Sequence, residues 1–307
     1  MELFFRYLLN GIGNGAVYAL VALALVLIFR STGLLNLAQG EMALFSTYFA
    51  WKLTDLGLAI VPTIAIAVVA SMFGGALIER TLIRPVHGPD KSPLNVLIVM
   101  LGLFLGLNAL AQLIFSDDAE PMPKPWPTVA SPGDPVGRNA RFAEVGGVPI
   151  SWSVVALLLS LIVLAGLLYL LFQRTKLGLM LRAAASNPAS ARLVGINSSN
   201  MLMLGWALAA GLGAVAGVLA AADRGSVNPG LMAVVLVYAF AAAALGGFDS
   251  PIGAVVGAMI VAIAEAMTIG YVKALSTIEL VVPFGLILLV LLVRPTGLFG
   301  RKVVERV

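Results

Sequence analysis

Residues 16–45 read AVYALVALALVLIFRSTGLLNLAQGEMALF. Positions 16–29 carry no charge and a single phenol, and such a run enters a bilayer unaided. Between it and the next apolar stretch, Asn36, Gln39 and Glu41 cluster around Gly40. A carboxylate at the bilayer centre costs at least ~2.5–3.5 kcal/mol on insertion scales. Glu41 must therefore face protein or water, take a proton, or sit near an interface. On an unbroken helix Gln39 would lie about 60° from Asn36 and Glu41 about 140° from it, so one stripe would not hold all three. A bend or a fresh helix start near Gly40 removes the conflict. The amides then cap helix ends, and Glu41 falls in a first turn, where the helix dipole favours a carboxylate. Capping and lining a translocation path are compatible, and both readings stay open.

The rest of the chain agrees with a membrane setting. Of 307 residues, 60% are hydrophobic and only 11% charged, against about 25% charged in soluble domains. Mean hydropathy is +1.02. Apolar runs near the ~20 residues needed to cross a bilayer recur. Alternating ten-residue segments do not, which argues against an outer-membrane barrel. Cysteine is absent and His87 is the single histidine, in a loop beside Pro85 and Pro89. Thiol chemistry and a cysteine or histidine metal centre are thereby excluded. The formal charge of +4 reflects basic loops and does not argue for nucleic acid. The N-terminal apolar run is too long for a signal peptide and reads as a first span.

Spans are expected at about 7–29, 35–51, 58–82, 94–115, 152–172, 201–222, 232–247, 251–271 and 278–293. The short stretch 232–247 leaves the count at eight or nine. Segments 35–51 and 251–271 begin in Gly-rich polar sequence, as broken or re-entrant helices do. The fold class is thus all-α, a polytopic integral membrane helical bundle. With nine spans and the C-terminus inside, Arg30, Arg80, Arg84, Lys91, Arg174, Lys176, Arg182, Arg192, Arg294, Arg301, Lys302 and Arg306 are cytoplasmic, 12 of 19 basic residues. That bias sets the orientation.

Two polar segments stand apart. Residues 116–151 are rich in Pro and Gly with mixed charge, and read as an external loop with a hairpin near RFAEVGGVPIS. Residues 173–200 are basic, and within them SNPASARLVGI carries start and stop signals. Ser186 or Asn187 can cap, Pro188 suits the first helical position, and Gly195 suits a left-handed stop. A helix of about two turns is marginal alone and needs a surface to pack on.

Polar residues inside the spans are the candidate functional groups. Asn10, Asn14 and Tyr18 recur every four residues and form one stripe of the first span. Gly11/Gly15, Gly102/Gly106, Gly213/Gly217 and Gly253/Gly257 repeat the small-xxx-small spacing of ordinary helix packing. Asn108 and Gln112 share a face, where interhelical hydrogen bonding is the plain explanation. Glu265 lacks a basic neighbour on its helix before Lys273, and reads as a water-exposed carboxylate or a coupling group. Asp249-Ser250-Pro251 reads as a capped helix start. No G-x-x-x-x-G-K-[ST] stretch occurs, so the chain holds no P-loop for ATP. No pair of side chains is placed for catalysis.

These features occur in LLNGIGNGAVYALVALAL, GLLNLAQGEMALFSTYFA, IERTLIRPVHG, RTKLGLMLRAAASNPASARLVGIN, ALGGFDSPIGAVVGA and LLVRPTGLFG, in that order. Together they resemble the membrane permeases of ATP-binding-cassette importers for branched-chain amino acids, over nearly the whole chain. The short N-terminus and the RPTGLFG end look like the first of that family's two permease subunits. The resemblance implies one permease domain over 1–307, a multi-pass protein of the bacterial inner membrane. Implied partners are a second homologous permease, two ATPase subunits and an external or periplasmic binding protein. ATP and Mg would then sit in the ATPases, with no cofactor in this chain. Asn10, Asn14, Tyr18, Asn36, Gln39 and Glu41 would line or gate the path. The family's coupling helix carries Glu-Ala-Ala-xxx-Gly, and that spacing falls on Ala189, Ser190, Ala191 and, after three residues, Gly195. Ala189 replaces the glutamate, leaving Arg182, Arg192 and Gly195 as the strongest contacts expected with the ATPase. Histidine is common in the family at Gln39 and glycine at Asp249. Relatives also carry urea, short amides or aromatic acids. A self-sufficient channel or secondary transporter would use Glu41 and Glu265 for ion coupling, but would leave the 173–200 loop without a role.

Overall fold

The computed structural model describes residues 2–33, 35–88, 92–145, 147–272, 278, 280–294 and 296–300. Helices dominate them: α1 (Glu2–Thr32), α2 (Gln39–Asp55), α3 (Ile60–Ile78), α4 (Pro93–Ile114), α5 (Trp152–Arg174), α6 (Lys176–Ser186), α7 (Pro188–Leu193), α8 (Ser198–Arg224), α9 (Leu231–Gly246), α10 (Pro251–Tyr271) and α11 (Val281–Val293). Six are long and apolar enough to cross a membrane: α1, α3 with the π-helical turn Glu79–Ile83 that follows it, α4, α5, α8 and α10. Helices α9 and α11 are apolar but shorter. The expectations for the tail beyond residue 300, and for Lys91 and Lys273, lie outside the described residues.

Helix starts follow their signals. Ser92, Thr175, Asn187, Asn197 and Ser250 accept a first-turn N–H through their side chains, with proline in the opening turn of α4, α7 and α10. These bonds fill donors that a helix start leaves open. Helix α10 runs unbroken from Pro251, so 251–271 is not a broken span. The Ser250 cap satisfies its polar start without a break.

Helices α1 and α8 form the centre, with 83% and 72% of their most apolar windows buried. Helices α3, α4 and α5 lie outside and expose large apolar side chains; Phe73 is 71% and Leu113 82% exposed. A soluble protein does not leave such continuous apolar faces in water, whereas acyl chains accept them. Glycine sets the spacing of the inner helices. A methyl group on Gly11 would stand 2.9 Å from the Cα of Ile263 in α10, and one on Gly217 would stand 2.9 Å from the Ala43 carbonyl oxygen in α2. Gly253 and Gly257 lie equally close to the α9 backbone. The fourth pair differs, since a methyl group on Gly102 or Gly106 would meet no other described residue within 4 Å.

The 116–151 segment folds into short strands: β1 (Glu120–Pro121), β2 (Thr128–Ser131), β3 (Asp134–Asn139), β4 (Arg141–Val145) and β5 (Val148–Ser151). Strands β2–β3 and β4–β5 form antiparallel hairpins, the second where one was expected. Strand β1 pairs with β6 (Ser226–Val227), which pins the segment to the end of α8. Trp126 Nε1 donates to Asn139 Oδ1 at 2.8 Å, and Asn139 Nδ2 to Ser153 Oγ at 3.0 Å.

Packing at Gly11 can be tested by bulk. Gly11→Val should destabilise the detergent-solubilised protein by roughly 1–3 kcal/mol through overpacking, whereas Gly106→Ala should leave its thermal midpoint unchanged. Equal midpoints for Gly11→Val and wild type would remove the α1–α10 crossing described above.

Candidate functional site

Between α1 and α2 the chain leaves the helix. Gly33 closes α1 in the left-handed region (φ +72°), its N–H donating to the Phe29 carbonyl at 2.7 Å. Residue 35 to residue 38 then run outside any helix before α2 opens at Gln39. The break therefore precedes Gly40, and Gly40 is not its pivot. Gly40 sits in the first turn of α2 pressed on α9, where an added methyl would lie 3.0 Å from the Met232 carbonyl and the Leu236 Cβ.

The expected capping amides act differently. The N-cap is Ala38, with no side-chain bond. Asn36 Oδ1 instead accepts from the Ala38 N–H at 3.0 Å, a local Asx-type turn. Asn36 Nδ2 donates to Gln39 Oε1 at 3.2 Å, and Gln39 Nε2 donates to the Ala209 carbonyl at 3.0 Å. Ala209 lies near the middle of α8, so α2 starts halfway along the bundle. Gly213 makes room there, since a Cβ on it would fall 2.7 Å from Gln39 Nε2.

Glu41 lies in the first turn of α2 as expected, and is fully buried. Asn108 Nδ2, from α4, donates to Glu41 Oε2 at 2.8 Å and to the Pro229 carbonyl at 3.1 Å. Gln112 Nε2 donates in turn to Asn108 Oδ1. Glu41 Oε1 is buried with no hydrogen-bond partner, and Glu41 has no ion-pair partner among the described residues. These groups open on a cleft of about 530 Å³, walled by Phe104, Leu105, Ala109 and the start of α9. Asn108 and Gln112 are legible as a polar face, but nothing in the sequence pairs them with Glu41.

The first-span stripe does not join this cluster. Asn10 is exposed, Asn14 half-buried and Tyr18 buried. Tyr18 Oη donates to Glu265 Oε2 at 2.9 Å, and its ring stacks on Tyr238 at 4.8 Å. Glu265 is therefore buried and hydrogen-bonded, not water-exposed. One partner that covers it is Tyr18, 247 residues away in sequence.

In the basic segment the start and stop signals hold. Asn187 Oδ1 caps α7 by accepting from the Ser190 N–H at 2.9 Å, Pro188 opens the helix, and Gly195 follows it at φ +84°. Ser198 Oγ donates to the Pro188 carbonyl at 3.1 Å, which fixes α7 to the start of α8. Nearby, Arg84 Nη2 donates to Glu79 Oε2 at 2.9 Å and to the Ser199 carbonyl at 3.2 Å. Ala189, Ser190, Arg192 and Gly195 are exposed. Ala191 is buried and Arg182 half-buried, with Arg182 Nη1 reaching Gln173 Oε1 at 3.3 Å. Ala191 thus marks the inner side of α7, and Arg182 is tied to the end of α5. Leu193 and Val194, absent from the expected set, stand 88% and 75% exposed at the tip. Two neighbouring bare aliphatics in a basic loop were the available signal.

The family described as the branched-chain amino acid transport system / permease component matches residues 7–291. The chain is 35% identical to the high-affinity branched-chain amino acid transport system permease protein BraD of Pseudomonas aeruginosa, over 99% of this chain and 98% of that protein. It is 31% identical to the corresponding protein LivH of Escherichia coli K12, again over 99% and 98%. A probable branched-chain amino acid transport permease protein LivH of Methanocaldococcus jannaschii is 29% identical over 92% of this chain. No solved structure matches the chain significantly.

The Asn108 junction has a testable energetic signature. Asn108→Leu strands the Glu41 carboxylate and should destabilise by about 1–3 kcal/mol, whereas adding Glu41→Leu should recover part of that loss because both partners are then apolar. Thermal midpoints of the three purified proteins check this. A double variant less stable than Asn108→Leu alone contradicts the assignment.

Proposed function

The chain belongs to the family of permease components of branched-chain amino acid transport systems, and from that premise we propose that it forms half of an importer's path for branched-chain amino acids across the bacterial inner membrane. The six long apolar helices, the segment 35–55 that ends in α2, and α9 and α11 make nine crossings, with residues 116–151 outside and 173–200 in the cytoplasm. A second homologous permease completes the path. Two separate ATPase subunits supply energy and hold ATP and Mg. An external binding protein delivers the solute.

One observation carries this reading, the short capped helix α7 with its bare apolar tip. Leu193 and Val194 project from a chain region that packs only on its other side. An exposed aliphatic pair beside Arg192 suits a groove on a soluble partner, with apolar area for affinity and the charge for register. In this reading Ala189, Ser190 and Arg192 flank the contact. Gly195 supplies the left-handed turn that lets the chain return to α8, a conformation L side chains rarely adopt. Ala191 packs on the inner side of the helix, and Arg182 lies on the preceding α6, bonded to Gln173. ATP binding closes the ATPase pair and pushes on α7, which stands at the start of α8. Helix α8 in turn contacts α2 through Gln39 at its middle. The polar groups Asn36, Gln39 and Glu41 line or gate the path, while Tyr18 with Glu265 and the more exposed Asn14 and Asn10 form a second polar line along α1.

The test is reconstitution of this chain with the second permease, the ATPases and the binding protein in liposomes. Leucine-loaded binding protein should stimulate ATP hydrolysis and drive leucine uptake in the wild type. Leu193→Asp or Arg192→Glu should abolish at least nine-tenths of the stimulation, and Gly195→Pro should do the same, since proline is locked near φ −65°. Normal assembly and stimulation in all three would refute the coupling role of α7. Uptake by this chain alone, driven by an ion gradient, would refute the whole scheme.

A further inference from the structure

We propose that the cleft between α2, α4 and α9 is a subsite for a zwitterionic aliphatic amino acid, with Glu41 receiving the α-ammonium and the start of α9 receiving the α-carboxylate. This rests on the transport function proposed above and adds the recognition chemistry.

Two poles lie side by side at the cleft, bridged by Asn108, whose Nδ2 donates both to Glu41 Oε2 and to the Pro229 carbonyl. At one, Glu41 is fully buried, with Oε2 held by Asn108 and Oε1 unpartnered. An acceptor in that state calls for a donor, because a buried, unmet carboxylate oxygen is costly. No cation of the protein supplies one among the described residues. At the other pole, Pro229, Gly230 and Ala233 line the cleft where α9 begins. That helix has no side-chain cap. Asn228 takes the Gly230 and Leu231 N–H groups at 3.1 Å each, and among the described residues no side chain or loop carbonyl accepts from those further into the first turn. Free N–H groups and the positive end of a sixteen-residue helix favour an anion such as a carboxylate. Phe104, Leu105 and Ala109 form an apolar wall beside the poles, suited to a branched aliphatic side chain. The volume of about 530 Å³ falls within the ~300–1,000 Å³ common for small-molecule sites. A lone cation would leave the α9 pole unmet, and a lone anion would leave Glu41 unmet. A zwitterion satisfies both.

The experiment uses the complete reconstituted complex and, separately, the detergent-solubilised membrane complex without its binding protein. In liposomes Glu41→Gln should lower leucine moved per ATP hydrolysed at least tenfold. In solution, labelled leucine binding to the wild type should be displaced at least tenfold better by unlabelled leucine than by 4-methylpentanoate, which lacks the ammonium. Glu41→Gln should erase that preference. Ala109→Trp, at an exposed wall position, should block leucine binding by filling the cleft, and it serves if Glu41→Gln fails to assemble. Wild-type transport ratios in Glu41→Gln, or leucine binding intact in Ala109→Trp, overturn the subsite while leaving the transport function standing. A wild-type complex that moves another solute and not leucine overturns both.

Discussion

Backbone groups at membrane depth have no water to meet them, so each must find a partner within the protein. Most of this chain meets that demand with helices. Gly33 and residues 35–38 do not, and the inner architecture is arranged around them. Gly33 turns the chain, Asn36 accepts the Ala38 N–H, and the Gln39 N–H reaches the Asn36 carbonyl at 3.3 Å. The Gln39 amide then ties the new helix start to the middle of α8. Once that start is fixed, the first turn of α2 holds Glu41 deep in the bundle, where Asn108 and the loop before α9 close on it.

The two polar regions share one element. Helix α8 begins against α7, through Ser198 and the Pro188 carbonyl, and there the Glu79–Arg84 pair also grips the Ser199 carbonyl. Further along, the same helix holds Gln39 and packs glycines against α2. Because α8 is continuous and largely buried, α7 and the start of α2 are attached to one rod. That arrangement gives a physical route from one to the other through the Ser198–Pro188 and Gln39–Ala209 bonds.

Most of the helices were legible in the sequence because hydropathy and capping chemistry are local. Asn187, Pro188 and Gly195 delimit α7, and Ser250-Pro251 opens α10, just as their side chains dictate. Glu41 in a first turn was legible for the same reason. What was not legible was tertiary. The break lies at Gly33 rather than Gly40, because packing against Leu236 and Met232 explains Gly40 without any turn. Glu265 meets Tyr18 only because α1 and α10 cross at glycines. Asn108 reaches Glu41 across 67 residues of chain. Ala191 fell on the buried side of α7 and Leu193 on the bare side, a rotation that spacing to Gly195 alone does not set.

The space above Gly213 is filled by the amide of Gln39. The two positions thus share a single volume, although they lie on different helices. During descent, enlargement at 213 is compatible with this bundle only when residue 39 shortens or turns away, and a longer group at 39 requires that 213 stay bare. The two sites are therefore one steric unit, and neither can be enlarged alone.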